Sequence, residues 1–321
     1  MNIPDASRFL TKEQQKMLLS RDDFKGLMTV LYVWFWIFFA FAISYFYPHV
    51  LTFILAVFIL GGQQLACSVI MHDTSHKSLF KTSWMNDFFG RWFGGFPVLS
   101  DMLRYRPYHV KHHVHTGLEG DPDINLTTGY PAGKKSLMRK IGRDLSGITG
   151  FKTTIAVFMM HLDYLEFDQG NNPQRIDQSG RTWSAFFSTA FHNLKGPVVA
   201  NLVLFLILSF FDPRLYLLWV IAYFTTFQFC VRVRSIAEHS MVDDRQDPYL
   251  NTRTTYANWL EKMLFAPLNV NYHLEHHMLM GVPCYNLPKM HQLIKEEGFY
   301  RNGTLAKGYW EILKKASLAK G

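Results

Sequence analysis

The sequence predicts an all-α integral membrane protein, with four transmembrane helices in two hairpins and a cytoplasmic helical cap that carries clustered histidines. Three observations lead there. A run of 46 residues, Gly26 to Met71, holds no Asp, Glu, Lys or Arg; the basic residues are segregated along the chain; and nine of the 14 histidines fall into tight groups. Charged residues make up 18% of the 321, against roughly 25% in an ordinary soluble protein. That shortfall argues against disorder and against a soluble nucleic-acid binder.

Taken in order, residues 1–25 are polar, carry Arg8, Lys12, Lys16, Arg21 and Lys25, and show no small-residue cleavage site after a short apolar stretch. They read as a cytoplasmic arm rather than a signal peptide. Tyr47-Pro48-His49 divides the uncharged run into 26–47 and 50–71, each 22 residues long, where ~20 suffice to cross the hydrocarbon core as a helix. A second pair, 196–211 and 215–231, is joined by Asp212-Pro213-Arg214. These two lie near the short end of the spanning range, and flanking aromatic residues can extend them. Segments 1–25, 72–195 and 232–321 then share one side of the membrane and hold 32 of the 33 Lys and Arg residues. The positive-inside rule makes that side cytoplasmic. The net charge of +8 is therefore mainly a topology signal. Within the cap, Trp84–Pro97 and Thr153–His161 are too short to span and read as helices in the interface plane. No repeat, low-complexity tract or linker divides the chain, so residues 1–321 read as a single domain. Cys67, Cys230 and Cys284 are too few, and odd in number, for a disulfide framework.

The histidines carry the chemistry. After the second apolar run comes His72-Asp-Thr-Ser-His76, an i,i+4 pair; then His109-Val-Lys-His112-His113; and after the fourth run Glu238-His239 and His273-Leu-Glu-His276-His277. Each HxxHH puts three imidazoles on one helical stripe. Imidazole is the commonest metal-binding side chain and suits iron, zinc, copper and nickel. A zinc protease needs HExxH, which is absent, and nine histidines overfill one tetrahedral zinc, so two metals are implied. A bis-histidine haem carrier would place its ligands inside the spans. His49, His161, His192 and His291 read as ordinary surface or satisfied polar residues. His115, at i+2 from His113, points off the stripe and reads as a neighbour of the site. Asp73, Asp121, Glu238 and Glu275 are candidate acceptors for imidazole N–H groups.

HxxxH, HxxHH and HxxHH, with the first two separated from the third by an apolar pair, resemble the integral-membrane fatty acid desaturase family over nearly the whole chain. The resemblance extends to Arg104-Tyr-Arg-Pro-Tyr-His109, Thr116-Gly-Leu-Glu-Gly-Asp-Pro-Asp123, Asn271-Tyr-His-Leu-Glu-His-His277 and Gly281-Val-Pro-Cys-Tyr-Asn-Leu-Pro288. Tyr130-Pro131, Ser136-Leu-Met-Arg-Lys140 and Arg143-Asp-Leu are similar to the bacterial, dihydrorhizobitoxine desaturase-like branch. The resemblance implies a non-haem di-iron site at the cytoplasmic face with a narrow acyl tunnel between the helices. The iron ligands it implies are His72, His76, His109, His112, His113, His239, His273, His276 and His277. In acyl-CoA members an asparagine four residues before the isolated histidine assists one iron through water; Ser235 stands there in this chain.

The expected reaction is O2-dependent insertion of a C=C bond into a fatty acyl chain linked to lipid, CoA or a carrier. Iron supplies redox chemistry that zinc lacks. No nicotinamide fingerprint opens a helix after a strand, and no flavin or haem domain is fused. Electrons are therefore expected from a ferredoxin, rubredoxin or cytochrome b5-like carrier with its reductase. Lys111, Lys134, Lys135, Arg139, Lys140 and Arg143 could dock an acidic carrier, and topology or anionic lipid explains them equally well. The expected location is a bacterial inner membrane, with active site and both termini cytoplasmic. The rivals are a membrane di-iron hydroxylase and a non-catalytic membrane metal-binding protein. Transport would call for intramembrane acidic residues, and the proposed spans contain none.

Overall fold

The computed structural model describes residues 3–170, 172–300 and 304–318, and these are mostly helical with almost no strand. A short arm, α1 (Lys12–Leu18), leads into α2 (Asp23–Phe46), whose first turn is capped by the Asp22 carboxylate accepting from Lys25 N–H at 3.0 Å. The Tyr47-Pro48 break ends α2, and His49 caps α3 (Val50–Ser75). These are the first two of four helices long and apolar enough to cross a membrane. The two differ in what they face. Met28, Leu31, Tyr32, Phe35, Phe38 and Phe39 of α2 are exposed, as the lipid face of a span should be. Helix α3 is buried on nearly every side from Ile59 to Ser75 and packs against most of the other long elements.

Between α3 and the next spanning helix lie α4 (Ser83–Phe89), α5 (Met102–His115), α6 (Ile124–Thr127), α7 (Lys134–Leu145) and α8 (Ile148–His161). Helix α4 runs into a π-helical stretch, Gly90–Gly95, that lies directly on α3. A Cβ at Gly94 would sit 2.8 Å from the backbone nitrogen of Met71, so only glycine allows this approach. Thus 84–97 is helical as expected, but part of it is buried against α3 instead of lying free at an interface. Helix α8 begins at Ile148, earlier than the expected Thr153, and leaves Ile148, Phe151, Ile155 and Phe158 exposed.

The second apolar pair is α9 (Trp183–Ser209) followed by α10 (Leu215–Phe224) and α11 (Thr226–His239). Helix α9 starts at residue 183 instead of 196 because polar side chains do not end a helix; only backbone bonding does. Asn193 donates to His161 O at 2.9 Å, and the Lys195 ammonium lies 5.7 Å from the Phe191 ring centroid. Residues 215–239 form one candidate span, interrupted where Thr225 adopts φ −117° and ψ −86°. The remaining chain forms α12 (Trp259–Leu264), α13 (His273–Met278), α14 (Leu287–Glu296) and α15 (Tyr309–Ala316). Two short strands, β1 (Thr254–Thr255) and β2 (Leu305–Ala306), pair in parallel and tie the two ends of this segment together.

Candidate metal centre

Four helices deliver the nine histidines. His72 lies in the last turn of α3 and His76 is its C-cap, so the helix outruns the apolar segment that predicted it. Helix α5 carries His109, His112 and His113, α11 ends on His239, and α13 carries His273, His276 and His277. Helix α5 starts where Asp101 accepts from Leu103 N–H at 3.0 Å. Arg106 then ties it to both neighbouring helices: its Nε donates to Ser75 O of α3 at 2.8 Å and its Nη2 to Asp87 of α4 at 2.9 Å. The first contact satisfies one of the carbonyls orphaned at the α3 C-terminus and puts a positive charge at its negative end. One arginine thereby sets the spacing between the first two histidine motifs.

The imidazoles gather into two groups. His72, His76, His109, His113 and His276 form one; His112, His239, His273 and His277 form the other; within each, one nitrogen per residue lies within 4.8 Å of the rest. The groups touch, with the rings of His113 and His277 4.3 Å apart at their centroids.

Several imidazoles have one nitrogen committed. His72 Nδ1–H donates to Asp73 Oδ1 and His112 Nδ1–H to Asp121 Oδ1, both at 2.8 Å. His239 Nδ1 meets Asn251 O at 3.3 Å and His277 Nδ1 meets Thr116 Oγ1 at 3.3 Å, whereas His273 Nδ1 makes no hydrogen bond among the described residues and has Glu238 Oε1 3.5 Å away. Committing Nδ1–H leaves Nε2 with a bare lone pair, and these atoms converge. Nε2 of His273 is 2.8 Å from Nε2 of His239 and 3.1 Å from that of His277; His113 Nε2 is 3.0 Å from both His109 and His276. Nε2 of His72 and His76 is buried with no protein partner. Lone pairs facing one another at this range form a donor set that a cation between them would satisfy. Metal–nitrogen bonds of ~2.1 Å separate neighbouring ligand atoms by about 3–4 Å, so the spacing fits.

Electrostatics agree. Burial, reinforced by mutual repulsion among the rings, holds His76, His109, His113, His273, His276 and His277 well below the usual imidazole range, in the neutral form that a metal requires. His112 differs. Burial opposes its protonation, but Asp123 and Asp121 outweigh it and push this imidazole up.

Three of the four carboxylates singled out from sequence stand beside a cluster histidine: Asp73, Asp121 and Glu238. Glu238 also takes Arg234 Nε–H at 2.6 Å. Glu275 does not meet a cluster imidazole. It is fully buried and accepts from His291 Nδ1–H and Tyr300 O–H, each at 2.5 Å, and from the Thr254 hydroxyl. His291 is thus a buried partner of the α13 helix, and its distance of 16 residues from Glu275 left no local signal. His115 turns back to Lys111 O, and the Ser235 hydroxyl donates to Val231 O of its own helix at 2.9 Å. Neither belongs to the two groups. His49 caps α3 and His161 Nε2–H donates to Leu99 O.

Two adjoining all-histidine clusters, drawn from the ends of two long apolar helices and from two shorter helices beside them, define a membrane metalloprotein of the histidine-box class. The chain belongs to the fatty acid desaturase family, whose signature matches residues 44–305. Curated relatives include the dihydrorhizobitoxine desaturase of Bradyrhizobium elkanii, 26% identical over 256 residues that cover 77% of this chain and 68% of that one. An sn-1 oleoyl-lipid 12-desaturase of Picosynechococcus sp. is 24% identical over 271 residues, 80% of this chain and 73% of its own. Another of the same name, from Synechocystis sp., is 25% identical over 245 residues, 71% and 64% respectively. Family membership makes the chain an oxidoreductase, and its four apolar helices make it an integral membrane protein.

Proposed function

We propose that the chain is an O2-dependent desaturase that introduces a double bond into a fatty acyl chain at a di-iron centre held by the nine clustered histidines. The observation that carries this reading is the division of those histidines into adjoining five- and four-membered groups inside the family-matched region. Two iron ions bound there would supply the redox and O2 chemistry needed to take hydrogen from an unactivated methylene, which no acid–base group can do. The protein's own part is positional. Asp73 and Asp121 hold His72 and His112 in the tautomer that presents Nε2, and burial keeps the remaining imidazoles neutral.

The electron count requires a partner. Loss of two vicinal hydrogens gives two electrons and two protons, whereas reduction of O2 to two waters takes four of each, so a ferredoxin, rubredoxin or cytochrome b5-like carrier brings the other two electrons one at a time and solvent supplies the other two protons. The exposed Lys134, Lys135, Arg139 and Arg143 on α7, with Lys111, suit an acidic carrier. The basic-residue distribution supports a single-domain topology with two membrane hairpins, cytoplasmic termini and a cytoplasmic centre, and the bacterial relatives suit a bacterial inner membrane. The test is expression in a host lacking the double bond, followed by mass spectrometry of lipids and polar metabolites. Products lighter by two hydrogens are expected. Products heavier by one oxygen, with none lighter by two hydrogens, would make the enzyme a hydroxylase.

A further inference from the structure

Past the fourth span the chain should lie above the membrane, yet α12 packs against the middle of α3. A Cβ at Gly62 would fall 2.3 Å from Met263 O, and Gln63 Nε2 donates to that same carbonyl at 3.4 Å. Gly62 is ten residues before His72, ~15 Å along a helix. Counting ~20 residues inward from Val50 sets the inner edge of the hydrocarbon near Ile70, so α12 meets α3 about 12 Å inside that edge. The tip of α12 is also apolar and open: Trp259 is 72% exposed and Leu260 48%.

A second element joins it. The Glu261 carboxylate accepts from Asn258 N–H at 3.0 Å and from Tyr309 N–H at 3.1 Å, which binds the first turns of α12 and α15 together. Trp310, 77% exposed, therefore stands at the same end as Trp259. Lys314 is exposed one turn further along α15, on the same face as Trp310 by its i,i+4 spacing. An indole and an ammonium one turn apart on one exposed face are a pairing that suits the acyl–headgroup boundary of an anionic leaflet. The charged groups of α12 are hydrogen-bonded within the protein, Glu261 as above and Lys262 Nζ to Asn269 Oδ1 at 3.5 Å.

We propose that α12 and the first turn of α15 form a wedge seated in the inner leaflet, with Trp259, Leu260 and Trp310 against lipid and Lys314 at anionic headgroups. The proposal rests on the membrane topology given above and not on desaturation. The wedge leads directly into α13, so it pegs the third histidine motif to the bilayer surface. The test uses the full chain in nanodiscs of phosphatidylcholine, with and without phosphatidylglycerol. Nitroxide is placed at Leu260→Cys or Trp310→Cys, the native Cys67, Cys230 and Cys284 being buried. Labels at Phe35→Cys on the α2 lipid face and at the exposed Asp244→Cys serve as references. Relaxation by O2 against a water-soluble chromium oxalate complex should give a ratio several-fold higher at 260 and 310 than at 244. Lys314→Gln should move the 310 label outward only in anionic discs. A water-like ratio at both wedge positions overturns the proposal, as does exclusion of both relaxants, which would mean a protein cover. A water-like ratio at Phe35 would bring down the membrane reading, and the wedge with it.

Discussion

Asp121→Asn separates the two metal positions. Asp121 Oδ1 accepts from His112 Nδ1–H at 2.8 Å and from Asp123 N–H at 2.9 Å, while Oδ2 accepts from Gly117 N–H at 2.9 Å. Asparagine keeps the shape but makes the acceptor neutral. Hydrogen bonds to charged groups contribute about 1.5–3 kcal/mol and neutral ones about 0.5–1.5 kcal/mol, so the exchange removes about 1–2 kcal/mol of support for His112. Altering the outer partner of a ligating imidazole typically weakens metal binding about 10–100-fold, or roughly 1.4–2.7 kcal/mol. The ranges overlap at about 1.4–2 kcal/mol, which predicts affinity lowered about 10–30-fold at the four-histidine group. The five-histidine group should keep its affinity, because none of its members bonds to Asp121. The assay is anaerobic titration of metal-free protein with Fe(II) against a competing chelator, with metal per chain counted by mass spectrometry. Equal weakening of both positions, or of neither, would refute the separate roles argued for the two clusters.

The other predictions concern individual side chains. His239→Ala should lose one metal per chain and all turnover, whereas His115→Ala and His192→Ala should keep both, measured by metal content beside product formation. Ser235→Ala should leave metal content unchanged, since its hydroxyl serves its own helix; a clear loss would mean that the serine reaches a metal through water. His291→Ala strips a buried carboxylate of a donor and should destabilise the protein by about 1–3 kcal/mol, seen as a lowered thermal midpoint; an unchanged midpoint would remove the Glu275 strut from the argument. Gly62→Leu forces a side chain into Met263 O and should cost about 1–3 kcal/mol by overpacking, with a midpoint equal to wild type counting against the α3–α12 contact.

What the sequence reveals follows from the range of each interaction. HxxxH and HxxHH are read correctly because i, i+3 and i+4 fall on one stripe of any helix, so three local patterns sufficed to nominate nine residues that the fold brings together. Asp73 and Glu238 were visible because each adjoins a cluster histidine in sequence. Asp121 was within reach through its nearby motif. Glu275 does accept an imidazole N–H, but from His291 and not from a clustered histidine, because its adjacency to His276 conceals a side chain directed at His291 and Tyr300. Helix lengths are hidden for a different reason. Hydropathy measures the apolar part of a helix, so α9 and α11 continue through Asn193, Lys195, Arg232 and Arg234, which are accommodated by local partners. The break at Thr225 left no proline or glycine to announce it.

The histidines of α5 and α13 do not respect the division between the two clusters. Neighbours in sequence part company: His113 belongs to one and His112 to the other, as do His276 and His277. A single residue inserted in either helix would rotate everything beyond it by about 100° and scramble both positions at once. Neither half can therefore be inherited, lost or transplanted without the other. For a lineage or a designer, the lengths of these two short helices are fixed even where their remaining residues are free to drift.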